Sequence, residues 1–284
     1  MINLLTILLN LVNLYALVNL CYQVQNWVKM KTTHLIALDL DGTSVRYDPC
    51  LEMDPFLIGC LNSLRSRGVR WVINSDRYTE TLVDIAKRLI PADRPVAVLS
   101  LQRFISLLNG DNAYVPCDDW NTVQINKHKL LWDKISPFFD EWKQEVEAKF
   151  DILDSIINEI VFAYMVPTES IEDLRKMMND FLLPFDDAKV SGNHDWSFML
   201  HSSFSKASVL LEIAARLGID RENIIAVGDG LNDISMLNGS VTPKVGCPVN
   251  ASREVIAAVK KAGGIVSAKE SAAGTQEIIE YYFG

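Results

Sequence analysis

Basic clusters are missing from this chain. Its 27 Lys and Arg residues are outnumbered by 36 Asp and Glu, the formal net charge is −9, and no block of Lys or Arg occurs. Phosphate-backbone binding needs a basic face, so no nucleic-acid partner is expected. Cysteine is scarce and unpaired: Cys21, Cys50, Cys60, Cys117 and Cys247 make five, an odd number without a repeated spacing. That argues against a disulfide framework and for reduced packing residues. The four histidines show no H-x-x-x-H or C-x-x-C context, so zinc is not expected either. Beyond residue 30 there is no internal repeat and no low-complexity tract. An apolar fraction of 49% over 284 residues is ample for one large or two modest domains.

Charge is also absent before Lys29, and the run from Leu4 to Val24 is long enough to span a bilayer. Its eight leucines between Leu4 and Leu20, with Ile7, Val12 and Val18, favour insertion by about 5 kcal/mol at ~0.5 each. Asn10, Asn13 and Asn19 oppose it, because an unpaired amide in hydrocarbon is costly. Two readings follow for residues 1–29. One is a membrane anchor, with Lys29 and Lys31 keeping the rest of the chain in the cytoplasm. The other, which is preferred, is an unneeded leader, because Met30-Lys31-Thr32-Thr33-His34 runs straight into the first strand. A cleavable signal peptide lacks its basic n-region here. Membrane association is thus expected only through residues 1–29, the protein is otherwise expected in the cytoplasm, and oligomeric state is left open.

The most informative segment is Asp39-Leu40-Asp41-Gly42-Thr43, placed at the end of the apolar run Leu35-Ile36-Ala37-Leu38. An aliphatic run that stops at two carboxylates and a Gly turn reads as a buried strand delivering chemistry at its C-terminal end. Strand periodicity puts Asp39 and Asp41 on one side, and two like charges so close call for a cation or a shared proton. Taken alone, the segment also reads as a solvated turn. A second acidic cluster, Gly228-Asp229-Gly230-Leu231-Asn232-Asp233, follows another strand-like run, Ile224-Ile225-Ala226-Val227. Open parallel sheets gather ligands where strand C-termini meet, so Asp39, Asp41, Asp229 and Asp233 are expected together, as a hard-oxygen site suited to Mg2+.

Two further pieces have the chemistry of a phosphoryl site. The strand Val69–Ile73 ends in Asn74-Ser75-Asp76-Arg77, and Lys206 heads an amphipathic helix. A hydroxyl with neighbouring N–H groups and an ammonium neutralise phosphoryl oxygens. By themselves, Ser75 is a turn or N-cap residue for the helix at Thr79, Lys206 an ordinary helix-start lysine, and Asn232 a capping side chain.

Along the chain, strand, turn and helix alternate from Thr33 to about Arg88, as in a doubly wound parallel sheet, with helices around Phe56–Arg67 and Thr79–Leu89. Pro91 and Pro95 punctuate the exit. The stretch from about Val96 to Trp196 reads as an insert. Its strand candidates are Val96–Leu99, Phe104–Leu108 and Ile160–Tyr164, and its helices lie around Leu130–Phe150 and Ile171–Phe181. Asn109-Gly110 signals a hairpin. Asn193-His194-Asp195-Trp196 is read as a connector with one buried aromatic, or else as a polar-ligand loop in which Trp196 stacks on a sugar and His194 bonds a hydroxyl. Asp118-Asp119-Trp120-Asn121 is equally open. From Ser205 the alternation resumes, with a helix to Leu217 capped by Gly218, a strand to Val227, a strand around Val245 and a helix over Ser252–Ala262. The expected division is 30–90 with 200–284 as the core and 91–199 as an inserted lid.

The four motifs, DLDGT, Ser75, Lys206 and GDGLND, in this order, resemble those of the haloacid dehalogenase (HAD) superfamily. The long insert is similar to the α/β cap of its Cof-type, type IIB branch, which includes sugar phosphatases and sucrose-phosphate-phosphatase-like proteins. The resemblance implies an α/β fold with a doubly wound parallel sheet and an inserted α/β cap, and a Mg2+-dependent phosphomonoester hydrolase acting on a small phosphorylated metabolite, foremost a sugar phosphate. It implies Asp39 as nucleophile, through an aspartyl-phosphate, and Asp41 as acid/base. Mg2+ would be held by Asp39, the Asp41 carbonyl and Asp229, with Asp233 behind. The phosphoryl oxygens would be held by the Leu40 N–H, Ser75, the Asp76 N–H, Lys206 and Asn232. Ser75-Asp76-Arg77 stands where the family has Thr-Gly-Arg, and Lys206-Ala207 where it has Lys-Gly. The Asp76 side chain is therefore expected to narrow the phosphate cradle or weaken it by charge. A phosphomutase of the phosphomannomutase-like type and a non-catalytic binding protein on the same frame are the alternatives.

Overall fold

Because Leu35-Ile36-Ala37-Leu38 is apolar at every position, a strand built from it has no side to offer water. It forms most of β1 (His34–Leu38), and all four of these side chains are fully buried. The structure, a computed structural model, describes residues 33–45, 52–193 and 195–284. After β1 come α1 (Pro55–Ser63), β2 (Val69–Ser75), α2 (Thr79–Arg88), β3 (Ala97–Ser100), β4 (Phe104–Leu108) and β5 (Tyr114–Pro116). Then follow α3 (Asp118–Ile135), α4 (Phe139–Lys149), β6 (Asp154–Ile157), β7 (Phe162–Met165), α5 (Ile171–Leu182), β8 (Ala188–Asn193) and β9 (Trp196–His201). The chain ends with α6 (Lys206–Leu217), β10 (Ile224–Val227), α7 (Ile234–Leu237), β11 (Lys244–Cys247), α8 (Arg253–Lys261), β12 (Ile265–Val266) and α9 (Ser271–Phe283).

These strands form an eight-stranded sheet, ordered β12-β11-β10-β1-β2-β3-β4-β5, and a four-stranded sheet, ordered β6-β7-β9-β8. In the first, β12 through β3 run parallel, with β1 between β10 (Leu35 beside Ile224) and β2 (Leu35 beside Arg70). Alternation along β1 sends Leu35 and Ala37 to a core shared with Ile213 and Val255, and Ile36 and Leu38 to one shared with Leu57 and Ile278. This is the expected doubly wound α/β core. The chain leaves β1 toward β2 on one side, while β10 returns on the other. That leaves a crevice at the C-terminal ends of β1 and β10, where such folds bind ligands.

Local signals set the elements that frame this crevice. Asp54 caps α1, accepting from the Phe56 N–H at 2.8 Å, with Pro55 in the first turn where a missing N–H costs nothing. Gly218 closes α6 at φ 65°, the left-handed C-cap expected of it. The helix read as one unit over Leu130–Phe150 is two, α3 and α4, separated at Ser136–Phe138. Pro137 has no N–H to give, and its ring clashes with the preceding turn.

The insert differs from expectation at its start. Asn109-Gly110 does sit in a hairpin turn, between antiparallel β4 and β5, with the Asn109 side-chain oxygen accepting from the Asp111 and Ala113 N–H groups. But β3 pairs in parallel with β2 and antiparallel with β4, so residues 97–116 extend the first sheet. The second sheet draws only on residues 154–201. Asp118-Asp119-Trp120-Asn121 opens α3 and pins it to this hairpin. The Trp120 indole donates to the Arg103 carbonyl at 2.7 Å, and Asn121 pairs with both backbone groups of Ile105 at 2.9 Å.

The strand expected at Ile160–Tyr164 is β7, two residues later, and β6, β8 and β9 were not anticipated. The Asn193–Trp196 run is the turn between β8 and β9, with Asn193 and Trp196 paired across it, and Trp196 is half-buried rather than buried. His194 lies outside the described residues, as do residues 1–29 with the anchor or leader reading attached to them. Among the described residues no helix is long and apolar enough to cross a membrane, and Cys60, Cys117 and Cys247 are free thiols.

Candidate active site

Adjacent parallel strands carry the acidic turns to one place. Asp39 follows β1 and donates its N–H to the Val227 carbonyl at the end of β10, while Asp229 stands just beyond that end. One carboxylate oxygen from each of Asp39, Asp229 and Asp233 lies within 4.8 Å of the others, and all three side chains are buried. Asp233 is folded back over its own loop, accepting from the Asp229 N–H at 3.1 Å and the Gly230 N–H at 2.9 Å. This approach requires glycine at 228, where a Cβ would stand 2.4 Å from the Asp233 carboxyl carbon.

Lys206 is the cation of the cluster. Ser205 caps α6 by accepting from the Ser208 N–H at 3.0 Å, which fixes Lys206 in the first turn, and Asn74 of β2 donates to the Lys206 carbonyl at 2.9 Å. The Lys206 ammonium, fully buried, donates to Asp39 Oδ1 at 2.6 Å and Asp233 Oδ1 at 2.7 Å. Burial disfavours this ammonium, but the Asp233 and Asp39 carboxylates outweigh it and raise its pKa. Desolvation, then the neighbouring Asp233 charge, pushes Asp39 well above the usual carboxylate range, and desolvation likewise raises Asp233. Counting only these four side chains, three carboxylates and one ammonium carry a formal charge of −2 when fully ionised. Such an excess, buried, is stable only with a proton or a further cation. A donor set of carboxylate oxygens without sulfur or imidazole fits a hard divalent ion such as Mg2+.

Asp41 points elsewhere. Arg77 grips it with two bonds, Nε to Oδ2 at 2.8 Å and Nη2 to Oδ1 at 2.7 Å. Ser75 ends β2, and its hydroxyl accepts from the Arg77 N–H at 3.3 Å. It is not the cap of α2, which has no side-chain cap. Asn232 caps nothing either. Its amide donates to Asp76 Oδ2 at 2.5 Å, and Gln102 donates to the same oxygen at 3.2 Å. The second Asp76 oxygen and the Asn232 side-chain oxygen are both buried without a protein donor. Among the described residues, the Leu40 N–H has no protein acceptor.

Three contributors were missed. Thr43 donates to Asp229 Oδ1 at 2.6 Å and Arg77 pairs with Asp41; both stand inside motifs already quoted. Gln102 bridges Asp76 to Ser191 of β8 at 3.1 Å and has a left-handed backbone, φ 58°, which nothing in its neighbourhood signals. Nearby, buried Arg103 donates to His128 Nδ1 at 3.0 Å. Burial and this guanidinium push His128 down to about 4, so its other nitrogen carries the proton toward the Glu159 carbonyl.

A cavity of about 970 Å3 opens on the cluster. Asp39, Asp41, Ser75, Asp76 and Asn232 line one end, and Ile156, Ala163, Met165, Trp196 and Phe198 of the second sheet line the other.

An acidic cluster at strand C-termini, bonded to a buried lysine and facing a cavity lined by a second sheet, is the arrangement of an α/β protein with its ligand site at the C-terminal edge of the parallel sheet. Comparison with known proteins gives the family: a model of haloacid dehalogenase-like hydrolases matches residues 97–274, and the chain belongs to that family. It is similar to the 5-amino-6-(5-phospho-D-ribitylamino)uracil phosphatase YcsE of Bacillus subtilis, at 22% identity over 72% of this chain and 79% of that protein. In fold it is similar to the sucrose-phosphatase of Synechocystis, solved with sucrose and phosphate, at TM-score 0.64 and 15% identity over 89% of this chain and 99% of the other. A Thermoplasma acidophilum protein, 0175, gives a TM-score of 0.60 at 14% identity, over 89% of this chain and 99% of that one. HAD-type phosphatase is the class that these findings support.

Proposed function

We propose that the chain is a Mg2+-dependent phosphomonoester hydrolase that acts on a small phosphorylated metabolite through an aspartyl-phosphate. The observation that carries the reading is the buried cluster of Asp39, Asp229 and Asp233, with the Lys206 ammonium bonded to Asp39 and Asp233, open to a cavity. A carboxylate approaching a phosphate ester meets repulsion of about 4 kcal/mol per charge pair at ~4 Å with an effective dielectric near 20. Asp39, Asp229 and the Asp41 carbonyl are the groups to hold Mg2+, with Asp233 behind them, and the ion when bound supplies the neutralising charge.

Asp39 then attacks phosphorus and the bond to the leaving oxygen breaks. Asp41 gives that oxygen a proton and later takes one from the water that cleaves the acyl phosphate, releasing inorganic phosphate. Lys206, Ser75, Asn232 and the N–H groups of Leu40 and Asp76 hold the phosphoryl oxygens. Arg77, through its two bonds to the Asp41 carboxyl group, orients Asp41 beside the cavity. The family resemblance favours a sugar phosphate, while the Bacillus relative is named for a ribitylamino-uracil phosphate. Inorganic phosphate released from hexose phosphates would separate a hydrolase from a mutase, and no turnover of any ester would leave only the non-catalytic reading.

Asp41→Asn is expected to lower kcat by roughly 10² to 10⁴ while leaving Mg2+ affinity within a few-fold, because it removes the positioned proton and spares the carbonyl. Parallel measurement of phosphate release and Mg2+ titration checks both halves; unchanged kcat would remove Asp41 from the mechanism.

Metal dependence should also vary with pH in one direction. The Asp39 carboxyl is pushed well above its ordinary value and that of Asp233 is raised, so their contribution to the stability of the metal-free fold is fully present below the unfolded-state values and is lost as pH rises through the raised ones. Mg2+ competes with those protons, so the increase in Tm that it causes should be larger at pH 8 than at pH 5. Excess chelator should stop turnover. Thermal unfolding with and without Mg2+ at the two pH values tests this, and an equal shift at both contradicts it.

A further inference from the structure

The second sheet has two unlike faces. Strand periodicity sends Phe162 and Tyr164 of β7 into the helix-covered core and turns Ala163 and Met165 the other way, beside their cross-strand partners Phe198 and Trp196 of β9. That outward face is the wall of the cavity whose far end is Asp39.

Rings on the helix side occupy one another: Trp142 stacks on Phe181 at 5.2 Å, and Phe139 meets Phe162 at 4.6 Å. Trp196 and Phe198 lie against no ring among the described residues, and both are half-buried. Beside them on the same face, Ile156, Val161, Ala163 and Leu200 offer no side-chain hydrogen bond. A sugar seated against these apolar side chains would lose the water on the hydroxyls that face them, whereas a flat apolar ring would cover exposed hydrocarbon. Met165, opposite Trp196, brings a polarizable thioether, and Asn193 and Asp195 add polar groups at one edge. The cavity, about 970 Å3, holds a one- or two-ring system beside the phosphoryl group.

Resting on the phosphomonoesterase reading above, we infer that the group released with phosphate is an aromatic or heteroaromatic alcohol whose ring lies on Trp196 and Phe198. Ring heteroatoms meet Asn193 and Asp195, while the ester oxygen reaches Asp39 and Asp41. Specificity is thus set by stacking on the second sheet rather than by hydroxyl recognition.

The test uses the full chain with Mg2+ and three esters of primary alcohols, so that leaving-group reactivity is comparable: benzyl phosphate, hexyl phosphate and glucose 6-phosphate. The kcat/KM for benzyl phosphate is expected to exceed each of the others by about tenfold or more. Trp196→Ala should remove most of that advantage, chiefly through KM, and Trp196→Phe should keep most of it. A preference for glucose 6-phosphate overturns the assignment, as does equal use of the benzyl and hexyl esters, or an equal effect of Trp196→Ala on all three. Calorimetric titration with benzylphosphonate separates this assignment from the chemistry. Binding weakened about tenfold in Trp196→Ala, without turnover of any ester, would keep the ring site and sink the phosphatase reading. Neither binding nor turnover would sink both.

Discussion

Asp39→Asn is expected to abolish phosphate release, by ~10⁴-fold or more, because an amide can neither attack phosphorus nor serve as an anionic metal ligand. The same change should not weaken the metal-free fold. Desolvation and the Asp233 charge hold the Asp39 carboxyl well above its ordinary range, so the ionised form is costly at neutral pH. A neutral amide of the same shape relieves that cost and can still accept from Lys206, which keeps its ion pair to Asp233 at 2.7 Å. Activity and stability should therefore part company: turnover lost, metal-free Tm unchanged or higher, and the Tm gain from Mg2+ much reduced. Turnover near the wild-type rate would end the role given to Asp39. A collapse of Tm would mean that the carboxylate is there to hold the fold.

Lys206→Met should behave in the opposite way. The ammonium has no exposure to water and bonds two buried carboxylates, so removing it strands those charges, at a cost of about 3–5 kcal/mol. The loss should depend on pH with a definite sign. Asp39 and Asp233 already titrate high, and without Lys206 higher still, so protonation offsets the damage in acid and ionisation exposes it as pH rises. The Tm deficit of the variant is expected to be larger at pH 8 than at pH 5, and partly recovered by Mg2+. Equal deficits at both pH values would show that the methionine is badly packed rather than that a charge is missing. Phosphate release should fall as well, because the phosphoryl oxygens lose their ammonium.

Much of the site was legible because its residues sit where a strand pattern stops. An apolar run that ends at carboxylates can hardly be read as anything but a buried strand delivering them, and the runs before Asp39 and Asp229 became neighbouring parallel strands. Lys206 was legible only as the head of a helix in the company of the other motifs. What failed was the start of the insert and its second sheet. Val96–Leu99 is as apolar as β1, yet nothing local says that it pairs with β2, an arrangement decided by contacts between distant residues. Ala188–Asn193 mixes Lys189, Ser191 and Asn193 with two small residues, and it is a strand because Phe198 and its neighbours in β9 hydrogen-bond alongside it. Strand formation there depends on the partner more than on propensity.

The amino-acid sequence by itself determined the doubly wound core, the family and the acidic chemistry, because those rest on apolar runs, turn residues and carboxylates whose meaning is local. Only the tertiary structure decided which charges touch. Asp41 faces Arg77, Asp76 faces Asn232 and Gln102, and two carboxylates, Asp39 and Asp233, share one lysine across separations as long as 167 residues. It also decided that the cavity wall is aromatic and apolar. The physical reason is the same in both cases: side-chain direction alternates along a strand, but which face meets which neighbour is set by strand order and register, and these form only when the chain packs.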